Sequence, residues 1–489
     1  MKSQNISDYT NEDDKFINFS TILKASTLIL WIMFSILFTF QKFIKVKIYA
    51  DFKTFLVITL FSLFLYIFIS SKNEHYENSL RLGIGFILII IFLQRIIFLT
   101  IYPIDFEYNF YKIYTLKEFN YGIFAFSILL FASFIAIKTV KFIPFKEPKI
   151  IYTLPSYTKI RYVLYIIAYL SLIISINLGY FLNWKMGTKW EYGWLSKLFP
   201  NSLYTTMMVL LWVFYGQYLK IKDKILISIY LLLTIMFGLI QGSRSGIFGI
   251  VMTFFNVIVV VKGNFKISKN IFIILVIINL ILGPSLWFVG NAIRYKKSIS
   301  YIYKTSSLLK ITSAISYRVG SATDDFLIEV NNWGDKEIIK SLFTLENVIK
   351  AGINAAVPGE VFKDAPFESS GNLWLSIFMS EQLGSRVQGT VWSGFGFMYT
   401  LFGKWVLLHV FLWFLGISYI LKILITRKTI FHNLIAVYIF NIFIIEYFMN
   451  GNLDAFITGV FSVFLLIFIL YFIITIGINA LNKPVKQSR

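Results

Sequence analysis

The sequence predicts an all-α fold, a polytopic integral membrane protein with about twelve transmembrane helices and one large outer loop. Three observations predict it. Apolar residues make up 57% of the 489-residue chain and charged residues only 15%, where soluble domains carry about 25% charged residues. The apolar residues fall in runs of about 20, the length an α-helix needs to cross the hydrocarbon core, and the mean hydropathy is +0.72. Lysines cluster between those runs, so the net charge of +21 reads as the bias of inner loops toward Lys and Arg rather than as a nucleic-acid surface.

Residues 1–290 read as nine membrane helices joined by short loops. The chain starts polar, with Asp8, Glu12, Asp13 and Asp14. Its first apolar run has no small-residue cleavage site, so it reads as an uncleaved span. Spans are expected at 21–40, 54–71, 82–102, 120–137, 162–183, 201–219, 225–241, 247–261 and 271–290. Residues 291–402 form the large loop. Residues 403–489 hold three more spans, at 403–424, 430–450 and 457–479, and a tail.

Loop charges orient the chain. With the N-terminus inside, inner loops hold Lys138, Lys141, Lys146, Lys149, Lys159 and Arg161. They also hold Lys220, Lys222 and Lys224, then Lys262, Lys266 and Lys269, then Lys422, Arg427 and Lys428. Lys483, Lys486 and Arg489 follow in the tail. Lys42, Lys45, Lys47 and Lys53 dissent, because the same map puts residues 41–53 outside. Misplaced bounds for the first two spans are the preferred explanation, and an anionic ligand for these lysines is the alternative.

The map places 291–402 outside, with ten acids and eleven basic residues. Its length marks it as the place to seek chemistry. Residues 337–353 have helical periodicity: Ile338, Ile339, Leu342, Phe343, Leu345, Val348, Ile349 and Ile353 lie against Lys336, Glu337, Lys340, Glu346, Asn347 and Lys350. Such a helix suits a membrane surface.

The sharpest local feature is Gly242-Ser243-Arg244-Ser245-Gly246, between two apolar runs at the outer surface. A tight hairpin leaves the first amides of the next helix unpaired, and these suit a phosphate together with the hydroxyls of Ser243 and Ser245. Arg244 adds a bidentate fork that lysine cannot copy. A glycine turn with an N-cap and a snorkelling arginine is the plainer alternative. Arg294, Arg318 and Arg386 are further outer arginines, each also a candidate for a structural ion pair.

Candidate carboxylates for a general base are Asp324, Asp325, Glu329, Glu360, Asp364, Glu368, Glu381 and Asp454, with Asp324, Asp325 and Glu381 put forward as catalytic. Trp184, Trp190 and Trp194 sit where an interfacial belt is expected. Trp333 and Trp374, deep in the long loop, are candidates for stacking on a sugar face. Cysteine is absent, and His75, His409 and His432 lie far apart, so no metal and no cofactor are expected. Inside spans, Arg95 beside Gln94 and Glu446 are charged, and ionisable residues there are functional hypotheses. His409 reads as a core hydrogen-bonder.

Taken together, the span layout, the arginine turn at 242–246 and the segment Val391-Trp392-Ser393-Gly394-Phe395-Gly396-Phe397-Met398-Tyr399-Thr400-Leu401-Phe402-Gly403 resemble the Wzy-type polymerases of O-antigen or capsule repeat units. The resemblance implies a bacterial inner-membrane glycosyltransferase whose active site faces the periplasm. It would use a polyprenyl-pyrophosphate-linked oligosaccharide as substrate and need neither metal nor nucleotide. Membrane lipids and a chain-length regulator protein would be its partners. The related O-antigen ligases usually carry a histidine in the long loop, and residues 291–402 hold none. A lipid-oligosaccharide flippase is the alternative from another class.

Overall fold

The computed structural model describes residues 16–44, 48, 50–70, 74–101, 115–144, 157–177, 201–216, 219–240, 244–263, 265–268, 323, 326, 327, 330, 331, 344–356, 361–364, 394–426, 430–449, 456, 457, 459–465 and 468. These residues are predominantly helical. In order they form β1 (Phe16–Asn18), α1 (Phe19–Ile44), α2 (Phe52–Ser70) and α3 (His75–Ile87). A π-helical stretch, Leu88–Leu93, joins α3 to α4 (Gln94–Ile101). Then come α5 (Leu116–Thr139), α6 (Tyr157–Asn177), α7 (Asn201–Tyr215), α8 (Ile221–Ile240), α9 (Arg244–Lys262) and β2 (Lys266–Ser268). The last are α10 (Leu345–Ala356), α11 (Gly394–Phe402), α12 (Val406–Thr426) and α13 (Ile430–Ile442), which continues as a π-helical stretch, Phe443–Met449.

Five helical runs among the described residues are long and apolar enough to cross a membrane: Phe19–Gln41, Phe52–Ser70, His75–Thr100, Leu116–Phe142 and Gly394–Thr426. Helices lie along every expected span except 271–290, which is outside the described residues, and 457–479, where only pieces near its start are described. Polar caps start two of them. Asp51 Oδ1 accepts from the Thr54 amide and hydroxyl, both at 2.7 Å. Those bonds hold the Asp51 carboxyl below the usual carboxylate range. Thr115 and Glu118 form a reciprocal capping box at α5.

Helix α5 packs against α2 and α12, while α9 packs against α3, α7, α8 and α13. One end of the bundle collects lysine-bearing helix termini. There β1 pairs antiparallel with β2, Lys138 at the end of α5 pairs with Glu77 at 2.8 Å, and Lys422 of α12 donates to the Val140 and Ile143 carbonyls at 3.1 and 3.3 Å. At the opposite end, Asn120 approaches Asp51 at 3.4 Å, and the Tyr121 and Tyr399 hydroxyls meet at 3.1 Å.

The structure corrects the sequence reading in four places. The third span starts at His75 rather than 82, so Glu77 and Arg81 are helical and buried, each 1% exposed. Helix α1 runs on to Ile44, past the expected bound at 40, so Lys42 belongs to a helix, and α2 starts at Phe52, so Lys53 is helical as well. His409 is no core residue: half-buried, it bonds the Trp405 carbonyl of its own helix at 3.0 Å and stacks on Phe402.

The fourth correction concerns the long loop, which does not simply lie outside the bundle. Thr323, Phe326, Leu327 and Val330 are helical and buried. The apolar run from Gly394 to Thr426 is a hairpin rather than one rod. Nineteen residues of continuous helix would span about 28 Å, yet the rings of Phe395 and Phe414 lie 6.0 Å apart. Gly403, at φ 51°, makes the turn; an L side chain there would be strained. The boundary drawn at 402/403 therefore cuts through this hairpin.

Candidate functional site

Two segments of the 291–402 stretch converge on the end of the bundle opposite the lysines. The first carries Thr323, Phe326, Leu327, Val330 and Asn331. Thr323 Oγ1 donates to the Ile91 carbonyl at 3.0 Å, inside the π-helical stretch after α3. Altered registers of that kind occur often at functional sites. Asn331 donates to the Glu118 carbonyl at 3.1 Å and to the Leu327 carbonyl at 2.7 Å, tying its own turn to the start of α5. Leu327 occupies the space that a Cβ on Gly122 would need.

The second segment is α11. A Cβ at Gly394 would lie 2.6 Å from the Tyr447 carbonyl oxygen and 2.9 Å from Phe448 Cα. Only glycine allows this approach to the π-helical stretch after α13. The two segments share one aromatic cluster. Phe126 of α5 meets Phe326 and Phe395 edge-on, each at 5.0 Å. Phe395 meets Phe448 at 5.3 Å, and Phe92 meets Phe126 at 4.3 Å. Each such pair contributes roughly 0.5–1.5 kcal/mol beyond burial. Arg95, the second residue of α4 after the first π-helical stretch, is 1% exposed with its guanidinium 5.9 Å from the Phe98 ring centroid.

Most sequence candidates border this region in sequence without being described. Asp324, Asp325, Arg294, Arg318, Glu381, Arg386, Trp333, Trp374 and Ser243 lie outside the described residues, as do Glu329, Glu360, Glu368, Asp454, Trp184, Trp190 and Trp194. Asp324 and Asp325 fall between the buried Thr323 and Phe326. Arg244 and Ser245 open α9, where backbone amides lack intrahelical partners; of these two only the backbone is described. Glu446 belongs to the second π-helical stretch, again by backbone alone.

Asp364 is held differently from a general base. Lys350 Nζ, which also pairs with Glu346, contacts it at 2.6 Å and keeps its carboxyl below the usual range. A carboxylate so held is a weaker proton acceptor. Helix α10 covers only part of the expected 337–353 helix among the described residues. Val348 and Ala351 are buried, whereas Leu345 and Ile349 stay 46% and 41% exposed.

Three polar assemblies escaped the sequence reading. Glu77 and Arg81 share a helix face, and Arg81 Nε donates to the Phe68 carbonyl. His75 and Ser79 bond the Val260 and Val259 carbonyls at 2.8 and 3.0 Å. Asn256 of α9 donates to Asn441 of α13 at 2.7 Å. The i, i+4 spacing of Glu77 and Arg81 was visible, but the span bound at 82 left both in a loop. Among the described residues, no group of three or more His, Asp and Glu is placed to hold a metal ion. No protein-family model, curated protein or solved structure matches the chain.

Proposed function

We propose that this chain is a multi-pass membrane polymerase that joins polyprenyl-pyrophosphate-linked oligosaccharide repeat units on the outer side of a bacterial inner membrane. The observation that supports this reading is the return of 323–331 and 394–402 into one end of the bundle. That return brings parts of the longest connection against two π-helical stretches, at the end that the lysine bias makes external.

The reaction needs three things from the protein. A hydroxyl of one lipid-linked unit attacks the anomeric carbon of another. The bond from that carbon to the pyrophosphate oxygen breaks, and polyprenyl pyrophosphate leaves with the electron pair. A carboxylate such as Asp324, Asp325 or Glu381 takes the hydroxyl proton, and Arg244, with Arg294, Arg318 and Arg386, neutralises the departing phosphates. Trp333 and Trp374 supply stacking faces for sugar.

Arg244→Lys in the native cell tests this. The fork geometry makes lysine a poor substitute, so polymerisation should fall about a hundredfold, leaving single repeat units at the surface while the protein remains folded and inserted. Normal chain lengths at wild-type expression would reject the phosphate role.

A second reading has an observation of its own. Glu77, Arg81, Arg95 and Asp223 are buried at 1% exposure each, and buried charges in membrane helices mark transport pathways. A lipid-oligosaccharide flippase is therefore the competitor. Deleting the gene separates the two: loss of a polymerase leaves single units on the surface, loss of a flippase leaves none.

A further inference from the structure

The lysine-bearing end of the bundle holds an open cleft of about 430 Å3 that the polymerase reading does not use. Three helix ends line it. Trp212, Val213 and Phe214 come from α7 with Gly216 just beyond, Lys224 from the first turn of α8, and Lys262 from the last residue of α9. Lys262 Nζ stands 5.6 Å from the Phe214 ring centroid. A Cβ on Gly216 would meet nothing within 4 Å, so the cleft is open on that side. Among the described residues no acid lines it, and the adjacent Asp223 is buried.

The apolar surroundings suit lipid. Trp212 is 39% exposed, and Ile221 and Ile225 on α8 are 71% and 53% exposed. Tryptophan favours the level of the headgroups. The C-terminal dipoles of α7 and α9 oppose an anion here, so the full charges of two lysines must outweigh them, helped by the first-turn amides of α8. Ammonium groups serve phosphate as point charges, and basic pockets between membrane helices take anionic headgroups.

We propose that this cleft binds a phosphate-bearing anion at the membrane surface, the headgroup of an anionic glycerophospholipid whose acyl chains lie along the exposed apolar face of α8. The proposal rests on the membrane-protein reading and not on the polymerase reading, so it stands or falls separately from Arg244→Lys.

Native mass spectrometry of the full chain, purified in uncharged detergent, tests it with phosphatidylglycerol, phosphatidylcholine and soluble glycerol phosphate as probes. Phosphatidylglycerol should be retained about tenfold over phosphatidylcholine. Lys224→Gln and Lys262→Gln should each lower that retention about fivefold, the effect of one lysine near an anionic surface. Lys117→Gln, at the far end of the bundle, should leave it unchanged. Both cleft lysines are at the surface, and unchanged gel-filtration profiles would show that the variants fold. Equal retention of the two lipids, or no loss in either cleft variant, overturns the proposal. Displacement of phosphatidylglycerol by equimolar glycerol phosphate overturns its lipid part and leaves a site for free phosphate.

Discussion

At the end that carries Lys138, Lys262 and Lys422, helices are tied by polar bonds between their own termini, whereas at the opposite end apolar segments from far along the chain hold them. The first end uses the Glu77–Lys138 pair, the β1–β2 ladder and the Lys422 bonds to Val140 and Ile143. Its partners sit where each helix stops, and water and headgroups are nearby. The second end uses Phe326, Leu327 and Phe395 against Phe126 and Gly122. Polar ties from the inserted segments accompany this packing: Thr323 and Asn331 satisfy the Ile91 and Glu118 carbonyls, and the Tyr399 hydroxyl meets that of Tyr121. The difference teaches what kind of contact closes each end rather than how far along the chain its partners lie. The lysine end also joins distant residues, Ile17 to Ile267 and Val140 to Lys422. The opposite end is closed by the packing of Phe326, Leu327 and Phe395.

Three substitutions sharpen or break that comparison. The largest effect is expected from Gly394→Ala. Its methyl would press on the backbone at Tyr447 and Phe448, which cannot rotate away as a side chain can. A loss of about 3 kcal/mol is expected, read as a lower midpoint of thermal aggregation in detergent. The aromatic contacts of the insert should loosen while β1–β2 stays protected from hydrogen exchange. Simultaneous loss of protection at both ends would show one cooperative unit and erase the contrast.

A smaller effect is expected from Lys138→Met. It leaves Glu77 buried without this partner, which in a fully buried pair costs about 3–5 kcal/mol. Lys138 is itself 31% exposed, so solvent screening lowers the expectation to about 2 kcal/mol. A variant as stable as the parent would show that the lysine end is held by packing alone.

The smallest is Thr323→Val, which keeps the shape and removes the donor to the Ile91 carbonyl. About 1 kcal/mol should be lost, with faster exchange confined to the amides around Leu88–Leu93. Unchanged exchange there would mean that the insert contributes packing only.

Helix positions were legible because a 20-residue apolar run has few other fates in this composition. The start of the third span was not. Glu77 and Arg81 read as loop residues until Lys138 and the Phe68 carbonyl were beside them. Gly394 was noticed for its motif, yet nothing local reports that the backbone at Tyr447 and Phe448 would press against it. The same holds for Asn256 and Asn441, 185 positions apart, whose pairing no periodicity predicts.

The sequence by itself determined that this chain is helical and apolar enough for a membrane, and which helix ends carry lysine. Those properties are set by the run length, composition and charge of contiguous residues. Only the tertiary structure decided that the run from Gly394 to Thr426 folds back on itself, that Thr323 and Phe326 are buried in the bundle, and that Glu77 has a partner. Each of those depends on atoms brought together from distant positions, and a period of 3.6 residues carries no information about which distant helix face will be met.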